Sequence, residues 1–325
     1  MKQMSRFKEV LKLIGRHQKF LVSTHHNPDA DALSSALSMA LYLKSRAKKV
    51  VVLNEDACPD WLQFLPSTSL LKKAADVKAV DYEVAIILDC GDLKRIGGVK
   101  NLLVQGKPIV NIDHHITNDR FGTINVVDAK ASSTCEMIFS FLKETKTKLN
   151  KSYADLLYAG IMTDTGSFRF ENTSAHTHEV ISQLLPFGIS AVDMYQRLYV
   201  GMPVADMKIF SEVISQAKLL DHNRVFCVSL AKKVLSRFSK SFDLKEKLFT
   251  FLRSVDGIEV VVILTELGSK EIRINLRSQN DFDVASLAQQ FDGGGHKKAA
   301  GCKIYDSLER AQKIICLAIH RKLGI

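Results

Sequence analysis

A chain of 325 residues with 46% hydrophobic and 25% charged residues has the balance of a globular protein of two domains, and is not a disordered chain. A formal charge of +10 favours an anionic partner such as a nucleotide or nucleic acid, although a solvated basic surface would give the same sum. No apolar run is long enough to span a membrane, and Met1 to Lys19 is polar and basic without the apolar stretch of a secretory signal, so a soluble, cytoplasmic protein is expected.

Phe20 to Thr24 is a short apolar run that opens into a polar loop, and Leu33, Ala36, Leu37, Ala40 and Leu41 then recur at helical spacing. Val50 to Leu53, Val84 to Leu88 and Ile109 to Ile112 read as buried strands. Met137, Ile138, Phe141 and Leu142 mark a further helix, and Leu156, Leu157 and Ile161 another. This alternation predicts an α/β fold whose mostly parallel sheet carries helices on both faces. From about Leu185 to Leu220 the pattern is helical but interrupted by Pro186, Gly188 and Pro203, which suggests a connector. A second, smaller α/β unit follows. Val225 to Leu230 and Ile258 to Leu264 read as strands, and Glu271 to Leu276 alternates like a half-buried strand. Asp283 is the expected N-cap of a helix through Val284, Leu287, Ala288 and Phe291, and Leu308 to Leu323 is a last amphipathic helix.

The six cysteines, Cys58, Cys90, Cys135, Cys227, Cys302 and Cys316, form no CxxC pair. That argues against a zinc ribbon or a dithiol redox motif and for free, largely buried thiols.

Four polar clusters fall directly after elements of the first half, where open α/β sheets place ligands. His25 to Asp31 brings a histidine and two carboxylates into a strand-to-helix loop. Such a set suits a divalent first-row metal, and equally the capped start of a helix. Asp89-Cys90-Gly91-Asp92 puts a carboxylate at the end of a buried strand, where it needs a cation or a donor network. Asp113-His114-His115 also follows a strand, and a paired histidine beside an acid points to metal or phosphate. Thr163-Asp164-Thr165-Gly166 ends a helix and alone is a common turn. Together the clusters would crowd Asp29, Asp31, Asp89, Asp113 and Asp164 into one crevice. Mutual repulsion there disfavours ionisation unless cations are present. A pair of divalent ions would relieve it and would suit in-line displacement at phosphorus.

In this order the four motifs resemble the DHH phosphoesterase superfamily, which includes RecJ-type exonucleases, family II inorganic pyrophosphatases and the nanoRNase/pAp phosphatases. Gly293-Gly294-Gly295-His296-Lys297-Lys298, with Leu276-Arg277-Ser278 before it, is similar to the DHHA1 substrate-binding domain. The resemblance is nearest to the nanoRNase/pAp phosphatases and spans nearly the whole chain. It implies a DHH catalytic domain over 1–185, a helical connector over 186–220 and a DHHA1 domain over 221–325, with the two domains facing each other across a cleft.

The resemblance also implies residue roles. His25 and Asp29 would hold one metal ion and Asp31 the other, with Asp89 bridging both. His114 and Asp164 would complete the ligand set of the second metal ion, and Asp113 would orient its neighbouring histidines. Asp89 and His115 would be the catalytic pair, His115 facing the scissile phosphate. Arg277 and His296 would grip the substrate's phosphate end, aided by the backbone of Gly293, Gly294 and Gly295. Asp292 stands where relatives often have another glycine. Manganese is expected over magnesium, because imidazole joins the carboxylates. The implied substrates are short RNA or DNA oligonucleotides and 3′-phosphoadenosine 5′-phosphate. One rival is a phosphodiesterase for cyclic dinucleotides or their linear products. Another, a nucleotide-binding regulator without catalysis, is opposed by the complete ligand set. Relatives are often dimers, so a homodimer belongs to the same expectation.

Overall fold

The structure, a computed structural model, describes residues 7–239 and 241–324. Residues 1–6 of the basic N-terminal stretch lie outside them. The chain forms two compact units that divide between Leu198 and Tyr199.

The first unit begins with α1 (Lys8–Arg16) and continues through β1 (Lys19–Ser23), α2 (Ala30–Ser45), β2 (Lys49–Asn54), β3 (Leu71–Lys73), β4 (Val84–Leu88), β5 (Ile109–Asp113) and β6 (Ile124–Val127). Four helices follow: α3 (Thr134–Glu144), α4 (Lys151–Asp164), α5 (Ala175–Leu184) and α6 (Ala191–Tyr199). The strands form one sheet in the order β3-β2-β1-β4-β5-β6, and every pair is parallel. All five residues of β4 are buried, the continuous apolar run that a strand covered on both sides requires.

Alternation divides the strands between the two faces. Leu21, Leu53, Ala85 and Ile87 pack with Tyr82, Ala74, Ile96 and Val99, so that face is covered by the 3-10 segments Ala74–Asp76 and Leu93–Leu102. The opposite face is covered by α-helices, with α2 against β1, β2 and β4, and α3 against β5. α2 is buried without a break from Ala30 to Ala40. Its alanines and serines let α3 and α4 pack directly onto it.

The strand order reverses between β1 and β4, since β1 leads to β2 on one side and has β4 on the other. Loops leaving the carboxyl ends of these two strands diverge there and open a crevice. His25 follows β1 and Asp89 follows β4, so the fold delivers both to the switch point.

The second unit comprises α7 (Val204–Ser215), β7 (Lys218–Leu220), β8 (Val225–Leu230), α8 (Lys232–Leu235), α9 (Leu244–Leu252), β9 (Val260–Gly268), β10 (Glu271–Ser278), α10 (Val284–Gln289), β11 (Gly294–His296), β12 (Ala299–Ile304) and α11 (Leu308–Leu323). Its sheet runs β11-β12-β10-β9-β8-β7, antiparallel except for the β8–β9 pair. In β10 the buried residues Ile272, Ile274 and Leu276 face α10 and α11. Arg273, Asn275 and Arg277 alternate to the other face. Val228, Leu230, Val261 and Ile263 build a second core with α9. Asp283 caps α10 by accepting from the Ala285 and Ser286 amides.

Two features differ from the sequence pattern. The last residues of the expected connector form β7, the edge strand paired with β8. The turn that closes this hairpin holds Asp221, His222 and Asn223 in succession at positive φ, which polar, turn-forming side chains tolerate best. The glycine run, whose backbone was expected to aid the grip on phosphate, is in large part a strand. Gly294, Gly295 and His296 pair with Gly301, Ala300 and Ala299. A Cβ at Gly293 would lie 2.5 Å from the Cys302 Cβ, and Gly295 has φ +142° with a built Cβ 2.5 Å from the Ala299 carbonyl. Close approach of β11 to β12 therefore requires these glycines, whatever ligand their amides meet.

Candidate metal centre

The expected ligands of the first unit arrive from five directions and meet. β1 ends one residue before Thr24 and presents His25, while α2 presents Asp29 as its N-cap and Asp31 in its first turn. β4 ends at Leu88 and hands on to Asp89, held at φ +51°. β5 ends in Asp113 and is followed by His114 and His115, and α4 ends in Asp164.

The Asp89 carboxylate lies at the centre and is 2% exposed. One oxygen, Oδ2, is 3.5 Å from His25 Nε2, which is itself 3.7 Å from Asp29 Oδ2. The other, Oδ1, is 3.5 Å from His114 Nε2, which is 3.1 Å from Asp164 Oδ2. Ligand atoms on one cation with bonds of about 2.0–2.2 Å sit about 3 Å or slightly more from one another. His25, Asp29 and Asp89 bring ligand atoms within 4.8 Å of one another, and Asp31, His114 and Asp164 do the same. The donor set, imidazole with carboxylate around buried space, fits divalent transition ions. Asp89 offers one oxygen towards each group.

The rings are fixed in the orientation that ligation needs. His25 Nδ1 is 2.9 Å from the His26 carbonyl and His114 Nδ1 is 3.3 Å from the Ala131 carbonyl. Each Nδ1 can donate there and leave Nε2 as the acceptor facing the carboxylates. His115 turns its Nδ1 to Asp113 Oδ1 at 2.7 Å, and Asn118 donates to Asp113 Oδ2 at 2.6 Å. Both oxygens of Asp113 are thus engaged, one by His115 and one by Asn118.

Burial disfavours charge on every member, and the members offset this for one another. Burial and the nearby Arg95 oppose a charge on His25, but Asp29 and Asp89 override both and raise its pKa to about 9. His114 is likewise raised against its burial, by Asp164, Asp89 and Asp31. Asp31 is pushed well above the usual carboxylate range by burial and by Asp89 and Asp164. Asp89 is held low despite burial, because His25, His115 and His114 surround it. A cation would replace the protons that now balance this cluster. If His25 and His114 ligate, each must lose a proton, and affinity for a divalent ion should then fall about tenfold per pH unit for each proton displaced, below the His25 value. Calorimetric titrations in buffers of differing ionisation heat would count those protons, and a pH-independent affinity would contradict the assigned ligands.

Several residues that hold the centre were not singled out from the sequence. The Thr134 and Cys135 amides, in the first turn of α3, donate to Asp31 Oδ2 and Oδ1 at 2.7 and 2.8 Å. The Thr134 hydroxyl donates to Asp89 Oδ1 at 2.9 Å. Asn54, at the end of β2, donates to the His25 carbonyl, and Asn111, within β5, donates to the Cys90 carbonyl. Asn172 donates to the carbonyls of both Ser132 and Asp164. The only sequence signal available was a buried asparagine near a strand end, which is ambiguous without contacts.

Gly160 lets α4 approach this network. A Cβ there would fall 2.8 Å from Asp31 Oδ1 and would collide with the Cys135 sulfur. In an open helix, alanine would be better than glycine by about 1 kcal/mol. Here overpacking of about 1–3 kcal/mol should outweigh that gain. Gly160→Ala is expected to lower the melting temperature and to reduce metal affinity together. A variant more stable than the parent would show that the helices can part without harm.

In the second unit Arg277 is held on three sides. Its Cζ is 4.8 Å from the centre of the Phe249 ring, its Nη2 is 4.0 Å from Glu246 Oε2, and its Nη1 donates to the Leu276 carbonyl. His296 is half-buried on β11.

Residues 19–161 match the model of the DHH family, N-terminal domain, and residues 206–321 match that of the DHHA1 domain. The chain is 30% identical to a protein of Streptococcus mutans named probable bifunctional oligoribonuclease and PAP phosphatase NrnA, over 94% of this chain and 96% of that one. It is 29% identical to the bifunctional oligoribonuclease and PAP phosphatase NrnA of Bacillus subtilis, with the same coverages of 94% and 96%. A crystal structure of an exopolyphosphatase-related protein from Bacteroides fragilis superposes with a TM-score of 0.85 at 26% identity, covering 98% of this chain and 96% of that one.

Proposed function

The chain belongs to the DHH family, in the form that carries a DHHA1 domain, and on that premise we propose that it is a metal-dependent phosphoesterase that hydrolyses short oligonucleotides and 3′-phosphoadenosine 5′-phosphate. The observation that carries the proposal is Asp89, a buried carboxylate with one oxygen turned to each of two histidine–carboxylate groups. The named activities of the relatives from Streptococcus mutans and Bacillus subtilis support the choice of substrate.

His25, Asp29 and Asp89 would hold one divalent ion, and Asp31, Asp89, His114 and Asp164 the other. Manganese is the proposed ion, because two imidazoles join the carboxylates. Such a pair supplies a nucleophile at neutral pH and charge stabilisation for in-line displacement at phosphorus. The chain's own groups do the rest. Asp113 holds the His115 ring through Nδ1, and His115 would face the scissile phosphate. Arg277, clamped by Phe249, Glu246 and the Leu276 carbonyl, presents a planar donor fork suited to phosphate. His296 and the amides of Gly293 to Gly295 would complete the contacts to the substrate's phosphate end. Substrates of this kind place the proposed activity in the cytoplasm. Among the described residues no helix is long and apolar enough to cross a membrane.

Manganese-supplemented turnover of a panel tests the reading. The panel holds labelled dinucleotides, longer oligomers, 3′-phosphoadenosine 5′-phosphate and cyclic dinucleotides. Preference for the dinucleotides and the bisphosphate is expected. Preference for cyclic dinucleotides would overturn the substrate assignment, and binding without turnover would overturn the enzyme. Within that panel, His296→Ala should raise KM for a 5′-phosphorylated dinucleotide about tenfold, the loss of one charge-assisted hydrogen bond, with little change in kcat. An unchanged KM would remove His296 from the phosphate contacts.

A further inference from the structure

Outside the metal centre, the second unit carries a pair of thiols that the proposed activity does not use. Cys227 on β8 and Cys316 on α11 lie with their sulfurs 3.5 Å apart, although 89 residues separate them in the chain. Cys227 is 1% exposed, and Cys316 is half-buried and thus the member nearer to solvent. The pair does not sit in a purely apolar setting. Gln312, one turn before Cys316 on α11, points its Nε2 at Cys227 Sγ at 3.3 Å and donates to Ser229 Oγ, while Lys218 donates to Gln312 Oε1 at 2.7 Å. A sulfur that receives two donors and faces a lysine is a place where a thiolate is tolerated.

The other cysteines lack these neighbours. Burial pushes the Cys58 thiol up to about 11 and those of Cys90 and Cys302 up to about 12, and it also raises Cys135. Cys227 alone among the cysteines is lowered, through the hydrogen bond from Cys316 against the effect of burial, with Gln312 and Lys218 adding to it. Two thiols this close share the first proton they lose, so the hydrogen bond that lowers Cys227 raises Cys316, with burial adding to it.

We propose that Cys227 and Cys316 are a modification site, a thiol pair that closes to an intramolecular disulfide on reaction with a peroxide. The thiolate attacks one peroxide oxygen and the O–O bond breaks. This gives a sulfenic acid at that sulfur and a hydroxide that takes up a proton. The second sulfur then attacks the sulfenic sulfur, the S–O bond breaks, and the departing hydroxide takes the second thiol's proton. Two thiols and one hydrogen peroxide become one disulfide and two waters. Sulfenic acids with a neighbouring thiol take this route in preference to further oxidation.

The bond would tie α11 to the sheet. At present α11 is held there by Ala311, Ile315 and Ile319. A covalent link closing so long a loop restricts the unfolded chain and raises the melting temperature of this unit. The test treats the full chain with equimolar hydrogen peroxide and maps its peptides without reduction. The expected result is one linked species joining the Cys227 and Cys316 peptides and lighter by two hydrogens. It should be reversed by dithiothreitol and melt at a higher temperature than the reduced protein. Cys316→Ser should give no such species. Sulfinic acid at Cys316 without the link, or links that scatter over the other cysteines, would overturn the proposal. Because the wild-type map decides the outcome, poor folding of the variant would not protect the idea.

Discussion

Asp89→Ala should turn over dinucleotides roughly 10²–10⁴-fold more slowly than the parent. Removing a single partner behind a metal ligand costs about 10–100-fold in affinity or activity. Asp89 stands in front of both ligand groups at once, 3.5 Å from His25 on one side and 3.5 Å from His114 on the other. Its loss therefore weakens two sites, and the factors should multiply. The fold should survive. The truncation leaves the buried Thr134 hydroxyl without its acceptor, a penalty of about 1–3 kcal/mol. It also removes a negative charge that burdens Asp31 and Asp164, which works in the opposite direction. Asp89→Asn separates charge from shape, since it can keep the Thr134 hydrogen bond but cannot serve two cations as well. A folded Asp89→Ala protein with parental kcat would remove this residue from the centre.

Saturating manganese should raise the melting temperature of the chain by roughly 15–30 °C over that in chelator. A ligand that binds only the folded state at about a thousand times its Kd contributes about 4 kcal/mol per site. For a unit of this size each kcal/mol moves the midpoint by about 2–4 °C. The physical source is visible in the cluster itself. Asp31 and Asp164 are driven towards the neutral form by burial and by neighbouring carboxylates, and His25 and His114 are held charged against their burial. Two cations would satisfy all of these groups together. The shift should be largely absent in Asp89→Ala and weaker at lower pH, because protons compete for His25 and His114. Chelation should abolish turnover, and added manganese should restore it. Turnover that persists in chelator, with a melting curve indifferent to metal, would leave the centre without its proposed role.

The acidic and histidine motifs were legible because each lies where hydropathy changes. An apolar run such as Val84 to Leu88 fixes a strand and where it ends, so the carboxylate after it lands at the sheet's carboxyl edge. The periodicities of 2 and 3.6 likewise placed β10, α2 and α11. The glycine run was harder to read. Glycines that admit an anion and glycines that admit a neighbouring strand have the same sequence, and only the register with Ala299 to Gly301 identifies β11. β7 gave no signal because three residues are too few to alternate detectably, and its existence depends on the hairpin closed by Asp221 to Asn223.

The amino-acid order alone determined which side chains could do chemistry and the side of the first sheet on which they emerge, because strand ends are local properties of hydropathy. Tertiary packing decided how they are held. The α3 amides reach Asp31 from more than a hundred residues away, and Gly160 clears the space in which Asp31 sits against α3. The Cys227 and Cys316 sulfurs meet only because α11 lies on β8. Such contacts depend on how helices pack onto sheets, a product of the whole buried surface, and no short stretch of sequence carries that information.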